Sequence, residues 1–175
     1  MIDKVNLLKE MLACSLQGIY SLDVHVNDQG VHSIWCKLED ACDIQATAST
    51  VKKLGGRLST ITAYQLKSPQ PSVNHEIAYH FDIYGATLTA TVQLIGDDNK
   101  IMSLTPIFRN ADWNEREFME LYDIKVVGHP NPRRLFIDES IDSAVLQRYI
   151  PYSAMVNAAS TKTLWENIMR NRGED

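Results

Sequence analysis

Five histidines, three cysteines and one dense run of carboxylates are the residues of this sequence that could do chemistry. His25, His32, His75, His80 and His129 form no HxxxH or HxxEH pair, the spacing that puts two imidazoles on one helix face for zinc. His25 and His32 flank a turn and could approach each other across it. A metal needs three or more ligands and a supporting shell, and the pair alone does not supply them. Cys14, Cys36 and Cys42 fall in no CxxC, so neither zinc nor an iron–sulfur cluster is signalled. Their odd number argues against a disulfide framework, and they read as reduced, partly buried thiols. The only glycine pair, Gly55-Gly56, closes a helical stretch, whereas a phosphate cradle needs glycines that open one. No GxSxG elbow occurs. The expectation is no catalytic residue, no cofactor and no metal site.

Two segments concentrate the remaining polar chemistry. The first is Asp112-Trp113-Asn114-Glu115-Arg116-Glu117, with Glu120 one turn on. Acidic groups at a helix start are favoured by the dipole and by free N–H groups, which accounts for Asp112, Glu115 and Glu117. Glu115 stands three residues after Asp112, the spacing of a capping box. Arg116 and Glu120 form an i,i+4 pair. The second segment is Gly128-His129-Pro130-Asn131-Pro132-Arg133-Arg134. A stiff loop with a histidine and two arginines suits carboxylates or backbone carbonyls of a partner, and equally suits an exposed basic turn.

The elements that must position these segments follow from periodicity. Residues 2–19 carry Ile2, Val5, Leu8, Leu12 and Ile19 at helical spacing. Ser21–Val26 alternates, Asn27-Asp28-Gln29-Gly30 turns, and Val31–Lys37 returns, a hairpin with a four-residue loop. Leu38 to Leu54 repeats apolar residues every three or four positions, which predicts a helix stopped by Gly55-Gly56. Arg57–Gln65 reads as a strand with Leu58, Thr60 and Thr62 on one face. Ser68–Ser72 is a loop by composition. Tyr79–Tyr84 and Thr87–Leu94 alternate most clearly, an aliphatic face against a threonine face, which predicts an antiparallel pair with one side in the core. A turn at Gly96–Asn99, a short strand over 101–106 and a helix over Trp113–Tyr122, capped by Asp112 or Asn110, follow. Periodicity then fades until a last short helix over Thr161–Arg170. The sum predicts an α+β fold: two layers, a mostly antiparallel mixed sheet with helices packed on one face, and an irregular C-terminal tail. The expected division is an α+β domain over 1–137 and a partner-binding tail over 138–175.

Composition bounds the setting. Hydrophobic residues are 45% and charged residues 22% of 175, ordinary for one globular domain. A net charge of −5 argues against nucleic acid. The charged, amphipathic N-terminus is not read as a signal peptide, and no apolar run approaches the ~18 residues of a bilayer span. The sequence therefore predicts a soluble, cytoplasmic chain that meets a membrane only through partners.

Taken together, the two polar segments resemble a known family signature. Ala111-Asp112-Trp113-Asn114-Glu115-Arg116-Glu117-Phe118-Met119-Glu120-Leu121-Tyr122 followed by Gly128-His129-Pro130-Asn131-Pro132-Arg133-Arg134-Leu135 is similar to the thirty-kilodalton subunit family of respiratory complex I, NADH:quinone oxidoreductase. His75-Glu76 and Ser103-Leu104-Thr105-Pro106-Ile107-Phe108 also look like that family's sheet. Tyr122-Asp123 stands where complex I members usually carry Phe-Gly. The tail, with Ile150-Pro151-Tyr152-Ser153 and Ala158–Glu166, looks more like the homologous small subunit of membrane-bound energy-converting nickel–iron hydrogenases.

The resemblance implies a non-catalytic structural subunit of a soluble arm, peripheral on the cytoplasmic face of the inner membrane. Its partners would be the large hydrogenase-like (forty-nine-kilodalton type) subunit and iron–sulfur subunits. The motif residues it implies for partner binding are Trp113, Glu115, Arg116, Glu117, Glu120, Gly128, His129, Pro130, Arg133 and Arg134. The competing reading is a stand-alone small-molecule-binding or regulatory module.

Overall fold

A computed structural model describes residues 2–66, 74–94 and 99–136, all within one compact unit spanning Met1–Val145. The expected loop over 68–72, most of the turn over 96–99, the tail and its short helix lie outside the described residues. In chain order the elements are α1 (Ile2–Ser15), β1 (Tyr20–Val26), β2 (His32–Leu38), α2 (Asp43–Lys53), β3 (Arg57–Leu66), β4 (Asn74–Ile83), β5 (Ala86–Leu94), β6 (Lys100–Met102), α3 (Ala111–Tyr122) and β7 (Lys125–Val127). The main sheet has five strands in the order β1-β2-β5-β4-β3, parallel between β2 and β5 and antiparallel elsewhere. β6 and β7 form a separate two-stranded parallel sheet. The α+β class and the mixed, mostly antiparallel sheet agree with the sequence reading.

The core forms on the face the alternation marked. Tyr79 pairs with Ala90, Phe81 with Leu88 and Ile77 with Val92, and all six are buried. Ile34, Cys36 and Leu38 of β2 extend that layer, and Val5, Leu8 and Leu12 of α1 with Ile44, Ala48 and Val51 of α2 cover it. Thr89 and Thr91 are also buried, yet they alternate with Leu88, Ala90 and Val92, so they lie on the opposite face. The strand register is therefore as expected.

Some details differ from expectation; the strand expected over 101–106, for one, is confined to Lys100–Met102. The helix expected from Leu38 begins at Asp43, because Leu38 is still paired in β2. α1 stops at Ser15 rather than running on to Ile19. The Asp43 carboxylate accepts from Gln17 N (3.3 Å) and Gly18 N (2.8 Å), turning the chain there. In β3 the pairing shifts between Leu58 and Thr60, so Leu58, Ile61 and Ala63 pair with the core residues Phe81, Tyr79 and Ile77. The face expected to carry Leu58, Thr60 and Thr62 together is split by this bulge, since one extra residue flips every side chain beyond it.

Turns follow their residues. Gly55 N–H bonds Lys52 O and Gly56 N–H bonds Val51 O, a paired C-terminal lock on α2 with Gly55 at φ +73°. Tyr84 (φ 54°) and Gly85 (φ 87°) are both left-handed and join β4 to β5 in a two-residue hairpin turn.

Candidate functional site

α3 runs beside β3, then the chain turns through β7 into the Gly-His-Pro loop. The α3 turn is made by Asp123 in the left-handed conformation (φ 54°). Asp112, Arg116 and Glu120 recur every four residues and so form one stripe along the helix, with Glu115 beside it. This stripe holds the loop.

Glu115 is buried, 1% exposed, yet fully hydrogen-bonded. It accepts from Ser103 Oγ at 2.6 Å, Leu104 N at 2.5 Å and Thr105 Oγ1 at 2.8 Å. Ser103 Oγ in turn accepts from Thr105 N at 3.1 Å, and Ser103 O accepts from Gln45 Nε2 at 3.1 Å. A buried carboxylate without such donors would carry a large desolvation cost. The capping-box reading is thus overturned. Neither Asn110 nor Asp112 caps α3; Asn110 sits at the N-cap with no side-chain cap bond. Asn110 Nδ2 donates instead to Leu58 O at 2.8 Å, and the Glu115 carboxylate turns inward to the segment after β6.

His129 is the second anchor. Asn131 N–H donates to His129 Nδ1 at 3.0 Å, which makes that nitrogen an acceptor and puts the ring proton on Nε2. Nε2 faces Asp112 Oδ1 at 3.2 Å and Glu115 Oε2 at 3.6 Å, with Asp112 O at 3.4 Å. The imidazole therefore bridges the loop to the start of α3. Arg116 donates from Nε to Arg133 O (2.7 Å) and from Nη2 to Arg134 O (2.8 Å), a fork closed on two successive carbonyls. Glu120, 3% exposed, accepts from Leu135 N (2.8 Å) and Phe136 N (3.1 Å). Both members of the expected i,i+4 pair therefore reach the loop backbone.

The structure brings Glu115, Arg116, Glu120 and His129 together as internal anchors. Gly128 (φ +77°) supplies the turn into the loop. Trp113 (65% exposed), Pro130 and Arg133 stand outward, and Arg134 is half-buried. Glu117 is set apart, on a groove of about 320 Å³ between α3 and β3. Sequence reasoning gave no role to Ser103 and Thr105; Phe136, one of the apolar residues that the sequence carries next to Arg133 and Arg134, is 68% exposed beside the loop. The paired hydroxyls before Pro106 were visible, but nothing local tied them to a carboxylate ten or more residues away.

Ser103 Oγ against Glu115 has the form of a nucleophile and its base, yet both are 1% exposed and closed to a substrate. Other titratable groups respond to burial. Burial, then the Glu115 charge, pushes the Tyr79 phenol well above its ordinary range. Burial lowers His75 and His80. It raises Cys36 to about 11, with Asp43 adding to it. Tyr64 is pushed up to about 12 chiefly by its hydrogen bond to Glu76. Among the described residues no three His, Cys, Asp or Glu side chains gather as a metal site, and no helix is long and apolar enough to cross a membrane.

A mixed sheet with helices on one face, and a loop anchored by buried helix carboxylates, define a small α+β domain. The chain belongs to the family of the respiratory-chain NADH dehydrogenase 30 kDa subunit, whose sequence model matches residues 34–157. It is 31% identical over 102 residues to the C subunit of the NADH-quinone oxidoreductase of Rhodopseudomonas palustris, a match covering 57% of this chain and 49% of that protein. The chain thus matches about half the length of that relative. A trypsin-resistant fragment (1-134) of Nqo5 shares the fold with a TM-score of 0.54 at 18% identity, over 73% of this chain and 98% of the fragment. So does a chain of the membrane-bound sulfane sulfur reductase, an archaeal respiratory membrane complex, with a TM-score of 0.57 at 12% identity over 78% of each chain.

Proposed function

We propose that this chain is a non-catalytic structural subunit in the soluble arm of a complex I-type NADH:quinone oxidoreductase or a related energy-converting nickel–iron hydrogenase. In this reading it docks on the large hydrogenase-like subunit, lies near the iron–sulfur subunits, and supports electron transfer by holding the arm together. It sits on the cytoplasmic face of the membrane through those partners. The observation that carries the reading is the internal use of the motif's ionisable groups. Glu115, Arg116, Glu120 and His129 bond to this chain's own backbone and side chains, and so shape a rigid platform. That platform presents Trp113, Pro130, Arg133 and Phe136 outward. Aromatic residues with arginine are the composition of interface anchors. The domain boundary near 137 and the tail over 138–175 belong to the same proposal, the tail continuing the contact that the loop begins.

Affinity purification of the tagged chain from its own cells should recover a large hydrogenase-like subunit and iron–sulfur subunits. Trp113→Ala combined with Arg133→Ala should lower that recovery while leaving the far-ultraviolet circular dichroism unchanged. Recovery of the chain alone from gently solubilised membranes would count against the reading. A small-molecule-binding module is the second reading. An open cleft of about 720 Å³ favours it, with Ile19, Leu94, Ile101, Met102 and Val127 among its lining residues and Glu39, Asp40 and Lys100 beside them.

A further inference from the structure

The chain that follows the Gly-His-Pro loop is held at three successive peptide units, each through backbone atoms. Arg116 closes its fork on the carbonyls of Arg133 (Nε, 2.7 Å) and Arg134 (Nη2, 2.8 Å). One turn along α3, the Glu120 carboxylate accepts from the N–H groups of Leu135 (2.8 Å) and Phe136 (3.1 Å). The peptide between Arg134 and Leu135 is thus gripped twice, its C=O by the guanidinium and its N–H by the carboxylate. Both grips are charge-assisted, the stronger class of hydrogen bond. Just upstream, His129 is buried, and Pro130 and Pro132 fix two further φ angles.

Packing does not explain why this stretch is ordered. Arg133 and Phe136 are exposed, and Arg134 and Leu135 only half-buried. Fixing a backbone that buries so little is entropically unfavourable. Two ionised groups of α3 hold it instead, and one of them, Glu120, is itself buried. Because they read backbone alone, they set the course of the chain and leave the Arg133 and Phe136 side chains outward.

We propose that Arg116 and Glu120 are positioning residues for partner binding. They order residues 133–136 before the large hydrogenase-like subunit arrives, so that the α3 platform and the sequence beyond Phe136 engage it as one unit. The inference rests on the function proposed above. Its physical basis is preorganisation: ordering already completed in the free chain does not weigh against binding. Two contacts joined by a rigid connection of the right course also bind more tightly than two joined by a loose one. The residue types are specific to the task. Lysine at 116 would keep the cation but lose the planar fork that spans two carbonyls. Glutamine at 120 would keep the shape but lose the charge, and would turn an NH₂ toward groups that themselves donate.

The test pairs amide hydrogen exchange in the free full-length chain with its affinity for the large subunit, purified with its iron–sulfur subunits from cells in which this chain is deleted. In Arg116→Lys and in Glu120→Gln, exchange at Leu135 and Phe136 should rise toward that of an open loop, while the amides of β4 and β5 stay protected. Affinity should fall about tenfold in each, the scale of ordering one or two residues anew on binding. Leu8→Ala, a core change in α1, is the control: it should lower the thermal midpoint and bind as the wild type does. If Glu120→Gln does not fold, Arg116→Lys decides alone. Faster exchange with unchanged affinity overturns the proposal and leaves the function standing. So does unchanged exchange at Leu135 and Phe136, or a loss of affinity that Leu8→Ala matches, since binding would then follow stability alone. A wild type that does not bind overturns the proposed function, and this inference with it.

Discussion

The Glu115 carboxylate lies buried between α3 and the segment after β6. Its two oxygens face only donors: the hydroxyls of Ser103 and Thr105, the N–H of Leu104 and the Nε2–H of His129. An amide in its place keeps one acceptor oxygen and points an NH₂ at groups that themselves donate. Glu115→Gln should therefore destabilise the fold by about 2–3 kcal/mol, the scale of lost charged hydrogen bonds in a buried site. A urea midpoint unchanged from wild type would show that the carboxylate is not needed. His75 makes a separate, pH-dependent contribution. It is 1% exposed, with Nδ1 3.1 Å from Asn99 Oδ1. Burial lowers its pKa, with the Asn99 bond opposing, and His80 is lowered as well. A histidine kept neutral in the folded state binds fewer protons than the unfolded chain once pH drops below about 6.5. Stability should be fully present above that value and decline as pH falls. Chemical denaturation at about pH 7.5 and 5.5 should show this slope, and His75→Gln with His80→Gln should flatten it. Equal slopes in wild type and double variant would refute the assignment.

Elements were legible in the sequence where one period ran without interruption. The alternation of Tyr79–Ile83 and Leu88–Leu94 gave both strands and their core face, and Gly55-Gly56 marked the end of α2. What was hidden is non-local. The bulge at Ser59 follows from pairing with β4, not from the β3 residues themselves. β7 is three residues long, too short for a period, and exists because Lys100–Met102 lies parallel to it. The site was half legible: the residue types and spacing were visible, but not that α3's carboxylates would look inward, since their donors at 103–105 and 135–136 come from other segments. The helix stop permits a test at this scale. Gly55 has φ +73°, and an added Cβ would sit 2.6 Å from the Tyr84 hydroxyl oxygen. Gly55→Ala should cost about 1–2 kcal/mol from the left-handed backbone alone. Gly55→Ala with Tyr84→Phe should recover whatever part comes from that contact, as read from thermal midpoints. A Gly55→Ala protein as stable as wild type would mean that α2 can end in another way.

At the scale of the molecule, the question is what the sheet domain contributes and what the C-terminal sequence adds. The described residues bury their own core, with Leu8, Leu12, Ile44, Tyr79, Phe81 and Leu88 each at most 1% exposed. The loop after β7 is tied to α3 as far as Phe136, through Glu120. Beyond it the sequence carries Ile150, Tyr152, Met155, Leu164 and Trp165, residues that a purely solvated tail would lack. Proposing this stretch as the partner-binding element separates two properties that one truncation can resolve. Removing residues 150–175 takes away none of the core side chains or loop anchors described above. The truncated chain should therefore keep its far-ultraviolet spectrum and a cooperative melt. Co-purification of the large subunit should nevertheless fall to background. Loss of the cooperative melt would make the segment part of this domain's own fold, and undiminished recovery of the large subunit would place the contact elsewhere. Trp113→Ala with Arg133→Ala in the full-length chain gives the comparison. A partial loss there, against a complete loss on truncation, would assign the first contact to the α3 platform and the larger share of binding to the sequence that follows it.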